Sequence, residues 1–358
     1  MDFSEIFEDK TKYGTKLKTD EYEEQGKYLI VDQGQELIAG YTDKKEGFFS
    51  ELPVIIFGDH TRILKYIDQP FYIGADGVKI LRCKLQNANY RYLFYALKNV
   101  YIPNTGYNRH FKWLKQSSIK YPDSVTQNRI VKILDTVSGI IQLRKKELNQ
   151  LDYLIKSRFI EIFGDPVSNP KGMVKKTLPE LGEFGRGVSK HRPRNDKALL
   201  GGPYPLIQTG DIANSGMYIT EYHSTYSELG LRQSKLWDKG TLCITIAANI
   251  AKTAILGFDA CFPDSVVGFN ANENTNNVFV HYWFSFFQEI LESQAPESAQ
   301  KNINLKILSE LEVIVPDVQE QNKFAAFVAQ IDKSKAVIQK ALDETQLLFD
   351  SLMQKYFG

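Results

Sequence analysis

The 358-residue sequence has few cysteines and almost no net charge, and it lacks any long hydrophobic run. Its three cysteines, Cys83, Cys243 and Cys261, stand far apart in no CxxC pairing. An odd, sparse set excludes a disulfide frame or a zinc site and suits small buried thiols in a reducing compartment. The longest mostly apolar run, Leu242 to Phe258, is broken by Asn249 and Lys252, and it falls short of the ~20 residues of a membrane span. The start, Met1-Asp2-Phe3-Ser4-Glu5, is acidic and has no charged, then apolar, leader. A cytoplasmic protein is expected. With 43% hydrophobic residues and no Gly-Pro bias, disorder and collagen-like repeats are also excluded. Lys+Arg number 44 against 43 Asp+Glu, a formal charge of +1. Nucleic-acid-binding domains usually carry a visible basic excess, so this balance argues on its face against one. At ~100–200 residues per domain the length fits two domains.

Catalytic signatures are missing as well. Phe184-Gly185-Arg186-Gly187 has the glycine spacing of a methyltransferase cofactor loop but no apolar strand before it, and no NPPY-like segment occurs. Pro122-Asp123, Pro263-Asp264 and Pro316-Asp317 each supply the first half of a nuclease metal site, yet no (D/E)xK follows them. No GxxxxGK[ST] loop is present. The five histidines show no HxxxH or HExxH spacing, and His281, before Tyr282-Trp283, reads as a histidine at the edge of a core. No chemistry, metal or cofactor is expected in this chain itself.

What the sequence does contain is a repeat. Pro122-Asp123, Gln127-Asn128, Ser157 and Phe163-Gly164 recur as Pro316-Asp317, Gln321-Asn322, Ser351 and Phe357-Gly358, every pair 194 positions apart. Between these anchors Ile130, Ile133, Leu134, Val137, Leu148 and Leu154 match Phe324, Phe327, Val328, Ile331, Leu342 and Leu348. Chance supplies one such pair, not the whole set in one frame. A weaker echo lies upstream. Tyr28-Leu29-Ile30-Val31-Asp32-Gln33-Gly34 resembles Tyr204-Pro205-Leu206-Ile207-Gln208-Thr209-Gly210, and Tyr92-Leu93-Phe94 is set against Tyr282-Trp283-Phe284.

The repeated segment reads as a long helix. Gln127 to about Ile162 holds no proline, and apolar residues fall at 130, 133, 137, 140, 141, 148, 151, 155, 159 and 162. Arg144 interrupts this narrow stripe, as Lys335 does in the second copy. At 1.5 Å per residue such a helix runs about 50 Å. Two one-sided helices in one chain most simply pair as an antiparallel coiled coil; the plainer alternative packs each on its own globular part. The globular parts read as mixed, with strands at 52–57 and 242–246 and short aromatic helices around Tyr90–Leu97 and Val280–Leu291. The expected class is α/β (α+β): a first domain over 1–125, a helix over 126–165, a linker over 166–176, a second domain over 177–318 and a helix over 319–358.

Two variable domains alternating with two preserved helices, together with "FGRGVSKHRPRND" (184–196), "YPLIQTGDIA" (204–213), "QKNINLKIL" (300–308) and "VPDVQEQNKF" (315–324), resemble the specificity subunit of type I restriction-modification systems. In the first half, "YLIVDQGQELIAGYTD" (28–43), "VIIFGDHTR" (54–62) and "FYIGADGVKIL" (71–81) look like one variety of target-recognition domain. The resemblance covers nearly the whole chain. It implies that each domain reads one half of a split target in double-stranded DNA, with the helices as a ruler between halves. It also implies docking of two modification subunits, which hold S-adenosylmethionine and methylate adenine. Two restriction subunits using ATP and Mg add cleavage. The chain itself would perform no chemistry. Because the two domains differ in sequence, the target is expected to be asymmetric. A reading from another class is a helical scaffold that binds protein partners only.

Base readers need amide, hydroxyl and basic side chains flanked by phosphate contacts. In the first domain His60, Thr61 and Arg62 follow a strand, where they either read bases or form a polar turn with Asp59. Tyr107, Asn108, Arg109 and Lys112 mix positive charge with aromatics and suit phosphate contact. In the second domain Arg186, Lys190, His191, Arg192 and Arg194 form the densest basic cluster, with Gly185 and Gly187 expected to free that loop to approach a phosphate backbone. Gln208 and Thr209 after a strand, with Asp211 as a reader or a turn cap, and Asn249, Lys252, Gln300, Lys301 and Asn302 complete the set. The charge objection then softens. Neither half is basic overall, but residues 98–132 carry seven basic side chains against Asp123 alone.

Overall fold

The computed structural model describes residues 1–247, 251–294 and 304–358. The chain groups into two compact units that do not follow chain order: Met1–Lys146 with Gln339–Gly358, and Glu147–Ile338.

Unit 1 opens with helix α1 (Phe3–Ile6), whose N–H groups are capped by an Asp2/Glu5 capping box. Strands β1 (Phe7–Asp9), β2 (Tyr28–Val31), β3 (Gly40–Thr42), β4 (Val54–Gly58), β5 (Leu64–Ile67), β6 (Phe71–Ile73) and β7 (Val78–Cys83) follow, then helices α2 (Tyr90–Lys98) and α3 (Phe111–Lys115). β1-β7-β4-β5 form an antiparallel sheet. A second sheet, β3-β2-β6, pairs β2 with β6 in parallel. All five residues of β4 are buried, so it reads as a continuous apolar run and not as an alternation. α2 covers this core with Tyr92, Leu93, Tyr95, Ala96 and Leu97.

Unit 2 repeats that order. Strand β8 (Lys175–Thr177) leads into helix α5 (Leu178–Leu181), capped by Thr177 and Glu180 as α1 is by Asp2 and Glu5. Then come β9 (Gly182–Arg186), β10 (Leu200–Leu206), α6 (Thr209–Asn214), β11 (Tyr218–Ile219), β12 (Ser224–Tyr226), α7 (Glu228–Arg232), β13 (Leu236–Trp237), β14 (Leu242–Thr245), β15 (Thr253–Leu256), β16 (Ala260–Cys261) and β17 (Val266–Ala271). Helices α8 (Asn277–Gln294) and α9 (Leu305–Ser309) precede β18 (Glu312–Ile314), which pairs with β8. The main sheet runs β9-β17-β14-β15, extended by β11. It has the pairing of β1-β7-β4-β5. The second sheet again holds one parallel pair, β10 with β16. Two domains too diverged for more than an echo in sequence thus share one topology.

The preserved segments are helices α4 (Ser124–Phe163) and α10 (Val318–Phe357), each 40 residues long. Both start beyond an aspartate. Asp123 Oδ1 accepts the Thr126 N–H (2.9 Å), and Asp317 Oδ1 accepts the Gln319 N–H (2.7 Å). α4 ends at Gly164, whose φ of +80° is left-handed backbone that favours glycine. The buried line on α4 is Ile130, Leu134, Val137, Ile141, Ile155, Phe159 and Phe163. It lies one position off the expected line at 133 and 162, and Ile140 is exposed.

Within unit 1 the helix segments run antiparallel: Met353 packs with Ile130 and Leu134, and the Arg144 guanidinium donates to the Ala341 carbonyl and Thr345 Oγ1. Within unit 2 they do so again, with Phe159 5.5 Å from Phe324 and Lys335 paired with Asp152. The two polar interruptions of the stripe are therefore cross-helix contacts. Each segment also enters the core of its own unit. Tyr95 donates to Asp135 of α4 (2.6 Å), and Phe279 stacks on Phe159 at 5.4 Å. Pairing between helices and packing on the globular parts occur together.

The repeated Gln-Asn dipeptide has a structural purpose. Asn89 Oδ1 caps α2 at the Tyr92 N–H (3.0 Å) while its Nδ2 donates to Asn128 (2.8 Å). Asn276 Oδ1 accepts from the Phe279 N–H (2.8 Å) while its Nδ2 donates to Asn322 (3.0 Å). These matching caps correct the echo by three residues: Tyr92 corresponds to Phe279 and Tyr95 to Tyr282.

Candidate nucleic-acid interface

At one end of the main sheet of unit 1 lie the β4–β5 turn (59–63) and the β6–β7 turn (74–77), set there by the pairings Gly58↔Val78 and Phe57↔Leu64. Asp59 is buried and ties this end to a distant loop. Its Oδ1 accepts the Phe111 N–H (2.7 Å), and its carbonyl accepts the His110 N–H (2.8 Å). The His110 ring is fully buried, with Nδ1 3.0 Å from the same carbonyl. Two stretches about fifty residues apart in sequence are thereby joined, and His60 stacks on Tyr107 with centroids 4.7 Å apart and planes 10° from parallel. Gln33, after β2, joins them by accepting the His60 N–H at Oε1 (3.2 Å) and the Thr61 hydroxyl at its carbonyl (2.7 Å).

The other candidates of unit 1 divide by engagement. Arg62 sits at φ +62° and donates to the Ile102 carbonyl (3.2 Å), so part of its guanidinium is held by the protein. Asn108 donates to the Thr105 carbonyl. Arg109 and Lys112 are exposed. Asp76 is held below the usual carboxylate range by its hydrogen bond and ion pair with Lys16 (2.8 Å), with a further contribution from Arg109. Gly77, with φ +84°, lies under the His60 ring, where a Cβ would meet a ring carbon at 2.8 Å.

Unit 2 places its candidates at the corresponding end. Arg186 closes β9 opposite Val267, which pairs with Ile244, which pairs with Thr253 beside Lys252. Gly185 and Gly187 do not free a loop. Gly185 pairs with Gly268 inside the sheet, and a Cβ on Gly187 would meet the Phe262 and Pro263 carbonyls at 2.4 Å. Gly185 is held by strand pairing and Gly187 by close packing of backbone, which corrects the mobility expected of them. The basic cluster is also less free than its composition suggests. Arg192 and Arg194 both pair with Asp264, and Arg192 also donates to the Ser189 carbonyl (2.6 Å). His191 lies 3.1 Å from Asp196, whose carboxyl is lowered first by the Ala198 N–H and then by His191. The backbone N–H groups of Lys190 and His191 both donate to Gln233 Oε1 (2.7 and 3.1 Å).

A cleft of about 340 Å³ brings Arg194, Gln208 and Thr209 together over an apolar floor that includes Leu206 and Tyr226. Asp211 caps α6 by accepting the Gln208 N–H (2.8 Å) and faces His223 (3.2 Å), so it is the cap of the two readings offered for it. Asn249, Gln300, Lys301 and Asn302 lie outside the described residues. Among the described residues no group of three His, Cys, Asp or Glu side chains is set to hold a metal ion, and no helix is long and apolar enough to cross a membrane.

Gln33 and Asp76 were missed by sequence reasoning. The echo that sets Asp32-Gln33 against Gln208-Thr209 carried the signal for Gln33. Asp76 occupies the β6–β7 turn as Asp264 occupies the turn between β16 and β17, and each takes basic partners from its own unit.

Comparison with protein families decides the class. The family model described as the type I restriction modification DNA specificity domain matches residues 1–153 and 170–345. The chain belongs to that family. Among curated relatives of this specificity-domain protein, the type I restriction enzyme EcoR124I/EcoR124II specificity subunit of Escherichia coli is 23% identical over 355 residues, covering 91% of this chain and 84% of that protein. A crystal structure of a type I restriction-modification S subunit from M. genitalium matches with a TM-score of 0.61 at 18% identity, covering all of this chain and 95% of that one. A chain from a structure titled for complex assembly and conformational transition of the type I R-M system matches with a TM-score of 0.53 at 17% identity, over 92% and 90%. The two structural likenesses support the fold.

Proposed function

We propose that this chain is the sequence-reading subunit of a type I restriction-modification complex, each unit reading one half of an asymmetric two-part target in double-stranded DNA. One observation carries the reading: two domains of one topology present polar and basic side chains from the corresponding end of their main sheets, on turns of unlike sequence. A repeated frame with unlike reading residues suits two half-sites of unlike sequence. The helix pair sets the gap between halves. The chain supplies recognition, and chemistry falls to partners: modification subunits holding S-adenosylmethionine, and restriction subunits using ATP and Mg where cleavage occurs.

The helices also support two equivalent docking sites for one kind of partner. Within unit 1, Leu143 of α4 and Leu347 and Leu348 of α10 correspond under the 194-residue frame to Val337 of α10 and Tyr153 and Leu154 of α4 within unit 2, and all six are between 44% and 74% exposed. Apolar side chains left in water at matched positions suit two copies of the same protein. Sequencing that detects N6-methyladenine tests the reading. A two-part asymmetric methylated motif is expected to vanish when the gene is deleted, and methylation that survives deletion refutes it.

A further inference from the structure

Tyr107 is 88% exposed, yet its ring is not a loose surface group. One face lies flat on His60, and the loop carrying it is anchored on both sides. After it, the Asp59 contacts hold His110 and Phe111. Before it, Gly106 turns at φ +76° with its N–H on Asn104 Oδ1 (3.2 Å), and Asn108 ties back to Thr105. His60 is itself fixed by Gln33 and supported by Gly77. Its Nδ1 is buried without a hydrogen-bond partner, so this imidazole makes a poor polar reader on that side and a good flat support. The result is a two-ring stack with one outer face open, and the exposed Arg109 and Lys112 follow Tyr107 in the same segment.

A paired duplex offers base edges in its grooves and keeps base faces buried in the stack. An open aromatic face of this kind fits a base face, and aromatic platforms flanked by positive charge are how proteins hold unpaired bases. We propose that the His60–Tyr107 stack binds one unstacked nucleobase, with Tyr107 covering its face and Arg109 or Lys112 on its phosphate. Adenine methylation in a duplex requires a base to leave the stack, so a stacking site on the reading unit would favour distorted DNA over straight DNA. The inference rests on the DNA-reading function proposed above and adds to it a class of ligand.

The test uses the purified full chain with two fluorescein-labelled duplexes at one salt concentration, one fully paired and the other carrying a single unpaired thymine. The wild-type chain is expected to bind the second about tenfold more tightly. Tyr107→Ala should abolish that preference, Tyr107→Phe should keep it, and His60→Ala should weaken it. Equal binding of both duplexes by the wild type overturns the stacking site and leaves DNA reading intact. A preference that survives Tyr107→Ala, or is lost equally in Tyr107→Phe, also overturns it. Binding of neither duplex counts against this inference and the DNA-reading function together.

Discussion

Gln127 and Gln321 occupy the same place in the repeat, and both are buried at the start of their helices. Their surroundings differ. Gln321 Nε2 donates to the Pro316 carbonyl (2.9 Å) and the Asn274 carbonyl (3.1 Å), while its Oε1 accepts from the Thr275 hydroxyl (2.8 Å) and the Asn276 N–H (3.3 Å). Gln127, among the described residues, keeps only the bond to Pro122 (2.8 Å). A buried hydrogen bond contributes about 1 kcal/mol net, and the abandoned partner then costs more. Gln321→Ala should therefore destabilise unit 2 by about 3–4 kcal/mol, and Gln127→Ala should cost unit 1 about 1 kcal/mol. Hydrogen exchange resolved by peptide separates the two, since a global melt of a two-unit chain does not report one equilibrium. At 1.36 kcal/mol per decade, amides of α8 and the start of α10 should exchange 100- to 1000-fold faster in Gln321→Ala, against roughly fivefold for α2 and the start of α4 in Gln127→Ala. Equal losses at the two sites would show that the repeat frame, and not the local network, sets the energy, and the reasoning would be wrong.

His281 lies against Thr253 Oγ1 (2.9 Å), and burial, then Lys335, push its imidazole down to about 4 from an ordinary value of 6.5. The unfolded chain then takes up a proton that the folded chain refuses, so stability present above pH 6.5 is lost as pH falls toward 4, by about 1–3 kcal/mol. In His281→Gln this part of the slope should flatten, as read by hydrogen exchange of α8 at pH 7 and pH 5. Asp264→Asn should free Arg192 and Arg194, raising non-specific DNA affinity several-fold and steepening the salt dependence by about one to two phosphates; an unchanged slope would place both arginines away from DNA. Leu143→Glu combined with Val337→Glu should abolish capture of the modification subunit, each single change leaving at least one site, with mass photometry counting the copies bound.

The helices were legible because their repeat is free of gaps and its anchors are structural. Pro-Asp begins each helix, Gln-Asn grips the cap of the preceding aromatic helix, and Phe-Gly ends each. The shared topology was not legible, because loops of unequal length separate the strands and the defining pairings, β1 with β7 and β9 with β17, are made across long stretches of chain. The candidate residues show the same limit. That a basic run carries charge is plain in its composition, but that Asp264 lies on Arg194, seventy positions away, is set by tertiary packing. Glycines 185 and 187 looked like a supple loop because sequence shows a missing side chain without showing the strand that pairs with Gly185 or the carbonyls pressed against Gly187.

The grouping of Met1–Lys146 with Gln339–Gly358 also has a consequence for biosynthesis. A ribosome makes the first unit's sheets early, but the α10 segment that packs on Ile130 and Leu134 is made only after unit 2. Unit 2 is contiguous over Glu147–Ile338 and has all its parts before that segment exists. The domain begun first is therefore completed second. Until then its nascent form leaves Tyr92 and Tyr95 without Phe357 and Phe349, an apolar surface exposed for the time needed to translate about two hundred residues, or roughly 10–40 s at 5–20 residues per second.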